Sequence, residues 1–143
     1  MNVEAILGKK GRDVVTITGS DTVLDAVRIL VERNIGSLVV VEGRRPTGIF
    51  TERDILRLTA RSPGQLGSMR VGAVMTADPI TATPSDDLHC VMDVMTENRV
   101  RHLPILEDER LVGIISIGDV VNAVRVSAEE ENSHLRQYIQ GVG

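Results

Sequence analysis

The feature that most constrains this chain of 143 residues is an internal repeat. Shifted by 65 residues, residues 14–59 align with residues 79–124 without a gap, and eleven of the 46 aligned pairs are identical. A single copy of about 46 residues is close to the size at which a lone domain struggles to bury enough apolar surface. The repeat therefore predicts two similar units that close around a shared interior as a pseudo-twofold pair.

Both copies predict the same order of elements. A short β-prone run, at 14–17 and at 80–81, is followed by apolar residues at helical spacing. A buried strand, a charged turn, a third short strand and a second helix come next. Ser20 and Ser85 are expected to cap the first helix of each copy, with an Asp in its first turn. The unit is strand-helix-strand-strand-helix, and the predicted fold class is α/β (α+β).

The remaining segments fit around this pair. Val71–Met75 echoes Val3–Leu7, which predicts a short docking helix before each unit. In the tail, Leu135, Tyr138 and Ile139 form a small apolar stripe that could pack on its own domain or on a partner helix in a homodimer. The expected organisation is a docking segment at 1–13, a first repeat at 14–59, a linker with a docking helix at 60–78, a second repeat at 79–126 and a helical tail at 127–143.

Composition narrows the class of protein. Phe50 and Tyr138 are the only aromatic residues, so the core must be built from aliphatic side chains and Met. A net charge of −4 argues against a nucleic-acid binder. The sequence contains no apolar run of about 20 residues and does not start with the layout of a secretory signal, so no membrane partner is expected and the cytoplasm is the expected location. Cys90 is a lone cysteine, which excludes an internal disulfide framework.

A short motif ends the third strand of each copy: GIFTERD at 48–54 and GIISIGD at 113–119. Both read Gly, two apolar residues, Thr or Ser, two variable residues, and Asp. The hydroxyl residue followed three positions later by an acid is typical of a capping box at a helix start. A cap does not account for the glycine, which in a strand indicates a close approach by another part of the chain or a ligand.

Two such motifs in one chain, with this order of elements, resemble a tandem pair of CBS domains, the cystathionine-β-synthase type, also called a Bateman module. The resemblance covers essentially residues 1–126. It implies that AMP, ADP, ATP, or sometimes NAD or S-adenosylmethionine, binds in clefts between the two repeats. It also implies a homodimer and, since this chain carries no effector domain, an unidentified target protein.

The resemblance also implies roles for particular residues. Asp54 and Asp119 would each hold a ribose, because a carboxylate accepts hydrogen bonds from both hydroxyls. Thr51 and Ser116 would meet ribose or phosphate at helix N-termini. The first strands would sandwich the adenine, and the start of each middle strand would face phosphate, more strongly at Arg101 and His102 than in the first copy, where Arg53 would compensate. Which first strand faces which Asp stays open. The expected site residues are Val15, Thr16, Ile17, Gly36, Ser37, Thr51, Arg53, Asp54, Ile80, Thr81, Ala82, Arg101, His102, Leu103, Pro104, Ser116 and Asp119.

Other kinds of site find little support in the sequence. His89, His102 and His134 lack the paired spacing of metal ligands, so no metal is expected. The sequence has no recognisable catalytic arrangement or phosphate loop, so no catalytic residue and no enzyme is expected. Besides a nucleotide sensor, a protein-interaction scaffold of the same fold that binds no nucleotide remains as the alternative, and a nucleotide hydrolase is a second rival.

Overall fold

The computed structural model describes the backbone of residues 1–142 and the side chains of residues 1–133 and of Leu135. Helices and strands follow each other in the order of a mixed α+β protein with two tandem repeats. Their bounds are α1 Val3–Lys10, β1 Thr16–Thr18, α2 Val23–Arg33, β2 Ser37–Glu42, β3 Arg45–Thr51, α3 Glu52–Arg61, α4 Val71–Val74, β4 Thr76–Ala77, α5 Leu88–Asn98, β5 His102–Glu107, β6 Arg110–Ser116 and α6 Ile117–Val142.

Each repeat is built on an antiparallel hairpin. In the first repeat, β2 and β3 pair antiparallel, β1 lies parallel to β2, and β4 adds to the other edge of β3. In the second repeat, β5 and β6 form the hairpin, and Ala82 makes a parallel bridge to Ile105 in the place that β1 takes beside β2. The two hairpins carry a register shift at the same point, between Val40 and Val41 and between Ile105 and Leu106.

The first strand of the second repeat is shorter than the sequence pattern predicts. Residues 80–81 form no regular strand, and the pairing is reduced to the single bridge at Ala82. Pro79 and Pro84 flank this segment, and proline cannot donate a backbone hydrogen bond to a neighbouring strand. The chain pairs earlier instead, as β4, which the sequence did not predict.

The first helices are capped two residues later than predicted. The Thr22 hydroxyl accepts a hydrogen bond from the backbone of Asp25, whose carboxylate accepts one in return from the Thr22 backbone N–H. Asp87 takes the same place before α5 and accepts from the backbone of His89. Ser20 and Ser85, the expected caps, lie in the preceding turns, each with its hydroxyl within hydrogen-bond distance of a threonine hydroxyl.

The two docking helices are exchanged between the repeats. α1 precedes the first repeat, but its apolar residues Val3, Ile6 and Leu7 are buried in the core of the second repeat. α4 precedes the second repeat, and its Val71 is buried in the core of the first. Each half of the chain therefore completes the core of the other, and the structure has two cores in place of the single shared interior that the repeat predicts. Aliphatic side chains supply most of both cores, with Phe50 in the first and Met95 in the second.

The exchange explains the two motif glycines. A Cβ on Gly113 would lie 2.6 Å from Cδ2 of Leu7 in α1, and a Cβ on Gly48 would lie 2.4 Å from Sδ of Met75, just after α4. Leu7 and Met75 are equivalent positions of the two docking segments. Glycine is needed at both places because the exchanged segment passes directly over the strand.

The predicted tail continues α6 without a break through Val142. Leu135 is exposed, and the side chains of Tyr138 and Ile139 lie outside the described residues. Among the helices that the structure describes, none is long and apolar enough to cross a membrane.

Candidate functional site

A cavity lies at Asp54 of the first motif, and we call it the Asp54 cleft. It has a volume of about 400 Å³ and lies between the repeats. Thr51 and Asp54 reach it from the start of α3 in the first repeat. Ile80 and His102 reach it from the second repeat. The structure thus brings the first motif together with the first and middle strands of the other copy, which answers the question that the sequence left open.

Asp54 is held in place by the helix start and is still accessible. It is one of the two buried polar residues among those described, with 8% of its surface exposed. Its Oδ2 accepts hydrogen bonds from the Thr51 backbone N–H at 2.8 Å and from the Thr51 hydroxyl at 3.2 Å. Both contacts go to one oxygen. Because no described buried side-chain oxygen lacks a partner, the second oxygen, Oδ1, is not fully buried, and Asp54 lines the cleft.

Four arginines surround the Asp54 cleft: Arg53, Arg57, Arg99 and Arg101. Within the part of the chain that the structure describes, none of them forms a salt bridge, whereas Lys10, Arg12 and Arg125 do. The carboxylates of Glu52, Asp54 and Asp78 also line the cleft, but the four guanidinium groups outnumber them. In a chain of net charge −4, this local excess of positive charge favours an anion such as phosphate.

His102 lines the Asp54 cleft and also a second cavity, which is lined by Ser116 of the second motif. Burial lowers the pKa of His102 below the usual value of a histidine, and the nearby charges of Lys10 and Arg101 act in the same direction. Glu52 and Asp119 oppose this effect. The neutral imidazole is therefore favoured in the folded protein.

This lowered pKa predicts a pH dependence of stability. Below about pH 6.5 the unfolded chain binds a proton at His102 more readily than the folded chain does. The free energy of unfolding should therefore fall as the pH is lowered from about 7.5 through 6.5 towards the folded pKa. In the His102→Gln variant, the free energy of unfolding, measured by urea denaturation, should fall less over this pH range than in the wild type. The exposed His89→Gln is the matched control, and equal slopes for the two variants would contradict the assignment.

The second motif lines two neighbouring cavities, which we together call the Asp119 cleft. Ser116 shares a cavity of about 280 Å³ with Val15, Gly36 and Ser37 of the first repeat. Asp119 lines a neighbouring cavity of about 270 Å³. Lys10 lines both cavities.

Lys10 binds the carboxylate that matches Asp54. Its Nζ donates to Oδ2 of Asp119 at 2.6 Å and to the Ile114 carbonyl at 2.9 Å. Burial alone would raise the pKa of Asp119, but the hydrogen bonds from Lys10 and from the Ser116 backbone outweigh it, so this pKa lies below the usual value. Asp119 is ionised and already paired.

The basic residues of the Asp54 cleft have no basic equivalents around Asp119. In the 65-residue frame, Arg53 and Arg101 align with Gly118 and Gly36. Arg57 and Arg99 both align with asparagine, at positions 122 and 34. The two clefts share the motif and differ in charge.

The expected site residues divide into three groups. Gly36, Thr51, Arg53, Asp54, Ile80, Arg101 and His102 line the Asp54 cleft. Val15, Gly36, Ser37, His102 and Ser116 line the cavity beside Asp119, which itself lines the next one. The other expected residues are on strands or in the cores: Ile17, Ala82, Leu103 and Pro104 are buried, and Thr16 and Thr81 are exposed beside them.

Sequence reasoning missed three contributors to these clefts. Arg57 lies one helical turn after Arg53, a spacing that places both on one face of α3 and could have been recognised. Arg99 ends α5 in the left-handed conformation at φ 54°, in the same place as Asn34 after α2. Lys10 lies in a segment without an equivalent in the other repeat, so the repeat gave no signal for it.

Comparison with known proteins gives relatives along most of the chain. CBS domain-containing protein CBSX3, mitochondrial, of Arabidopsis thaliana is 43% identical over 129 residues, which is 87% of this chain and 63% of that protein. The chain thus spans less than two thirds of that relative. A CBS-domain containing protein of Agrobacterium tumefaciens has a crystal structure that superposes with a TM-score of 0.83 at 37% identity, covering 86% of this chain and 98% of that one.

A second solved structure contains a ligand. The CBS domain protein of Pyrobaculum aerophilum, complexed with AMP, superposes with a TM-score of 0.74 at 25% identity over 83% of this chain and 89% of its own. The family model of the CBS domain matches twice, at residues 7–61 and 71–126. The sequence motif, the doubled fold and these matches agree: the chain belongs to the CBS-domain family and carries two CBS domains in tandem.

Proposed function

We propose that this protein is a non-catalytic regulatory module that binds one phosphorylated adenine nucleotide, in the Asp54 cleft. The observation that carries the proposal is the convergence in one cleft of the Asp54 carboxylate, which has one oxygen without a hydrogen bond, and four arginines that form no salt bridge with any residue whose side chain is described. A carboxylate suits the ribose hydroxyls, and guanidinium groups suit phosphate. The AMP complex of the relative from Pyrobaculum aerophilum supports this class of ligand.

The cleft offers a place to each part of such a ligand. Oδ1 of Asp54 would accept from the ribose, next to the Thr51 hydroxyl. The apolar side chains of Ile49 and Ile80 would contact the adenine. Arg53 and Arg101 would hold the phosphate. The predicted adenine contacts of Thr16, Ile17, Thr81 and Ala82, and the predicted phosphate contacts of Leu103 and Pro104, stay predictions.

The output of the module would be a change in how the repeats, or two subunits, sit against each other. A ligand in a cleft between repeats can shift such an equilibrium by its difference in affinity for the two arrangements. Leu56 on α3 and Val121 on α6 are equivalent positions and are 71% and 51% exposed, which supports a homodimer through these helices. The target protein, and a cytoplasmic location, belong to the same proposal.

A thermal-shift panel tests the binding function. Saturation at about a hundred times the Kd adds about 2.7 kcal/mol to the free energy of unfolding. For a chain of this size we expect AMP, ADP or ATP to raise Tm on the order of 5–10 °C. NAD and S-adenosylmethionine serve as the other adenine-containing ligands of the panel. No shift with any of them would favour the interaction scaffold, and nucleotide turnover by the pure protein would favour an enzyme.

A further inference from the structure

The linkers that follow the two docking segments differ in length. Six residues separate Leu7 from Val14, whereas three separate the equivalent Met75 from Pro79. In the shorter linker, α4 ends at Val74 and the chain turns into β4. In the longer one, helix α1 runs on to Lys10. The added turn has no counterpart in the other half of the molecule.

This added turn places an ammonium group at the carboxylate of the second motif. Nζ of Lys10 lies 2.6 Å from Oδ2 of Asp119 and 2.9 Å from the Ile114 carbonyl. A ribose hydroxyl held by Asp119 would donate to the same carboxylate. The Lys10 side chain is 38% exposed and that of Asp119 is 27% exposed, so the pair is partly shielded from water.

The lysine also divides the space. Around Asp54, the carboxylate, Thr51 and Ile80 line a single cavity. The equivalent residues of the Asp119 cleft are split, with Ser116 and Val15 on one cavity and Asp119 on the other. Lys10 is the one described residue that lines both cavities. Its removal would join the carboxylate to the apolar walls formed by Val14, Val15 and Ile35.

We propose that Lys10 is a built-in competitor for ribose in the Asp119 cleft, so that the wild-type chain keeps this cleft closed to ligands. The class of ligand rests on the proposed function: the opened cleft would take adenosine, without phosphate. Phosphate is less favourable there because glycine and asparagine stand where the Asp54 cleft has its arginines. The acids Asp13 and Glu130, which line the two cavities, also offset the positive charge of Lys9.

The test is a titration of the full chain with adenosine, in which the backbone amide NMR signals of residues in each cleft are monitored. The signals of Thr51 and Arg53 report on the Asp54 cleft, and those of Ser116 and Gly118 report on the Asp119 cleft. Lys10→Met keeps a side chain of similar length without the charge. In this variant we expect the Ser116 signals to shift at a midpoint adenosine concentration about tenfold or more below that of the wild type. The reason is that a charge-assisted hydrogen bond from Lys10 no longer competes with the ribose. Lys9→Met is the matched control and should behave as the wild type.

Two outcomes would overturn the proposal. One is a Ser116 shift in the wild type at the same adenosine concentration as in Lys10→Met, and the other is no Ser116 shift in that variant. The Thr51 signals judge the proposed function separately, because their failure to respond to adenosine and to AMP would defeat nucleotide binding at Asp54 whatever Ser116 does.

Discussion

Gly48→Ala is expected to lower the free energy of unfolding by about 2–3 kcal/mol, as overpacking of a close-packed interior does. The new Cβ would lie 2.4 Å from Sδ of Met75 and 2.8 Å from the backbone carbonyl of Thr76. The sulfur can move, but the carbonyl belongs to β4, which is hydrogen-bonded to β3 at this position. Relief therefore requires the exchanged segment to shift away from the strand. Urea denaturation of the variant and the wild type measures the loss.

Gly8→Ala is the matched control for this change. Gly8 lies inside α1, and a Cβ there would meet nothing within 4 Å. Since alanine favours a helix over glycine by about 0.8–1.0 kcal/mol, this substitution should leave stability unchanged or raise it. The change in the free energy of unfolding for Gly113→Ala should lie between those of the other two variants. The close atom, Cδ2 of Leu7 at 2.6 Å, ends a flexible side chain that can move. A Gly48→Ala variant as stable as the wild type would contradict the crossing of the docking segment over β3.

The repeat and its consequences could be read from the sequence to a considerable depth. The 65-residue frame predicts the element order, and the motif glycines predict a close neighbour. The identity of that neighbour could not be predicted, because Leu7 and Met75 come from segments that lie next to the wrong repeat along the chain. Local patterns constrain helices and strands, while an exchange of helices between two similar cores changes no local pattern.

In the candidate site, too, the individual residues could be predicted from the sequence, but contacts between distant parts of the chain could not. Asp54, Thr51 and Arg101 were predicted from motifs and resemblance, and they line one cleft. Their grouping in a single cleft was not predicted, since each cleft combines a motif from one repeat with strands from the other. The Lys10–Asp119 contact spans 109 residues and depends on one extra helical turn, which no pattern in the sequence announces.

The exchanged helices also connect the clefts to the cores. α1 contributes Leu7 to the core of the second repeat and Lys10 to the Asp119 cleft, so a change at this carboxylate acts on a helix that is part of the second core. α4 stands in the same relation to the first repeat but ends before its cleft. The Asp54 cleft is lined instead by α3 and by Thr76 and Asp78, which follow α4 along the chain.

The strongest expected effect on binding is that of Asp54→Asn. If Oδ1 of Asp54 accepts from both ribose hydroxyls, loss of the charge removes two charge-assisted hydrogen bonds of about 1.5–3 kcal/mol each, and Kd for AMP should rise about 100-fold or more. The amide oxygen of asparagine can still accept from the Thr51 backbone, so the helix start is kept. Calorimetric titration gives Kd, and a melting curve confirms that the variant is folded. Asp119→Asn should change Kd for AMP by no more than about threefold, because Lys10 already occupies that carboxylate.

A second ligand assigns the effect to the ribose. Wild-type protein should bind 2′-deoxy-AMP much more weakly than AMP, since a buried acceptor that loses its donor carries the full cost of desolvation. Asp54→Asn should discriminate between the two ligands far less, because the group that reads the hydroxyl has been weakened. The ratio of the two Kd values in each protein isolates the interaction between Asp54 and the 2′-hydroxyl from any general loss of affinity. Equal ratios in the two proteins would mean that Asp54 shapes the start of α3 and does not touch the sugar.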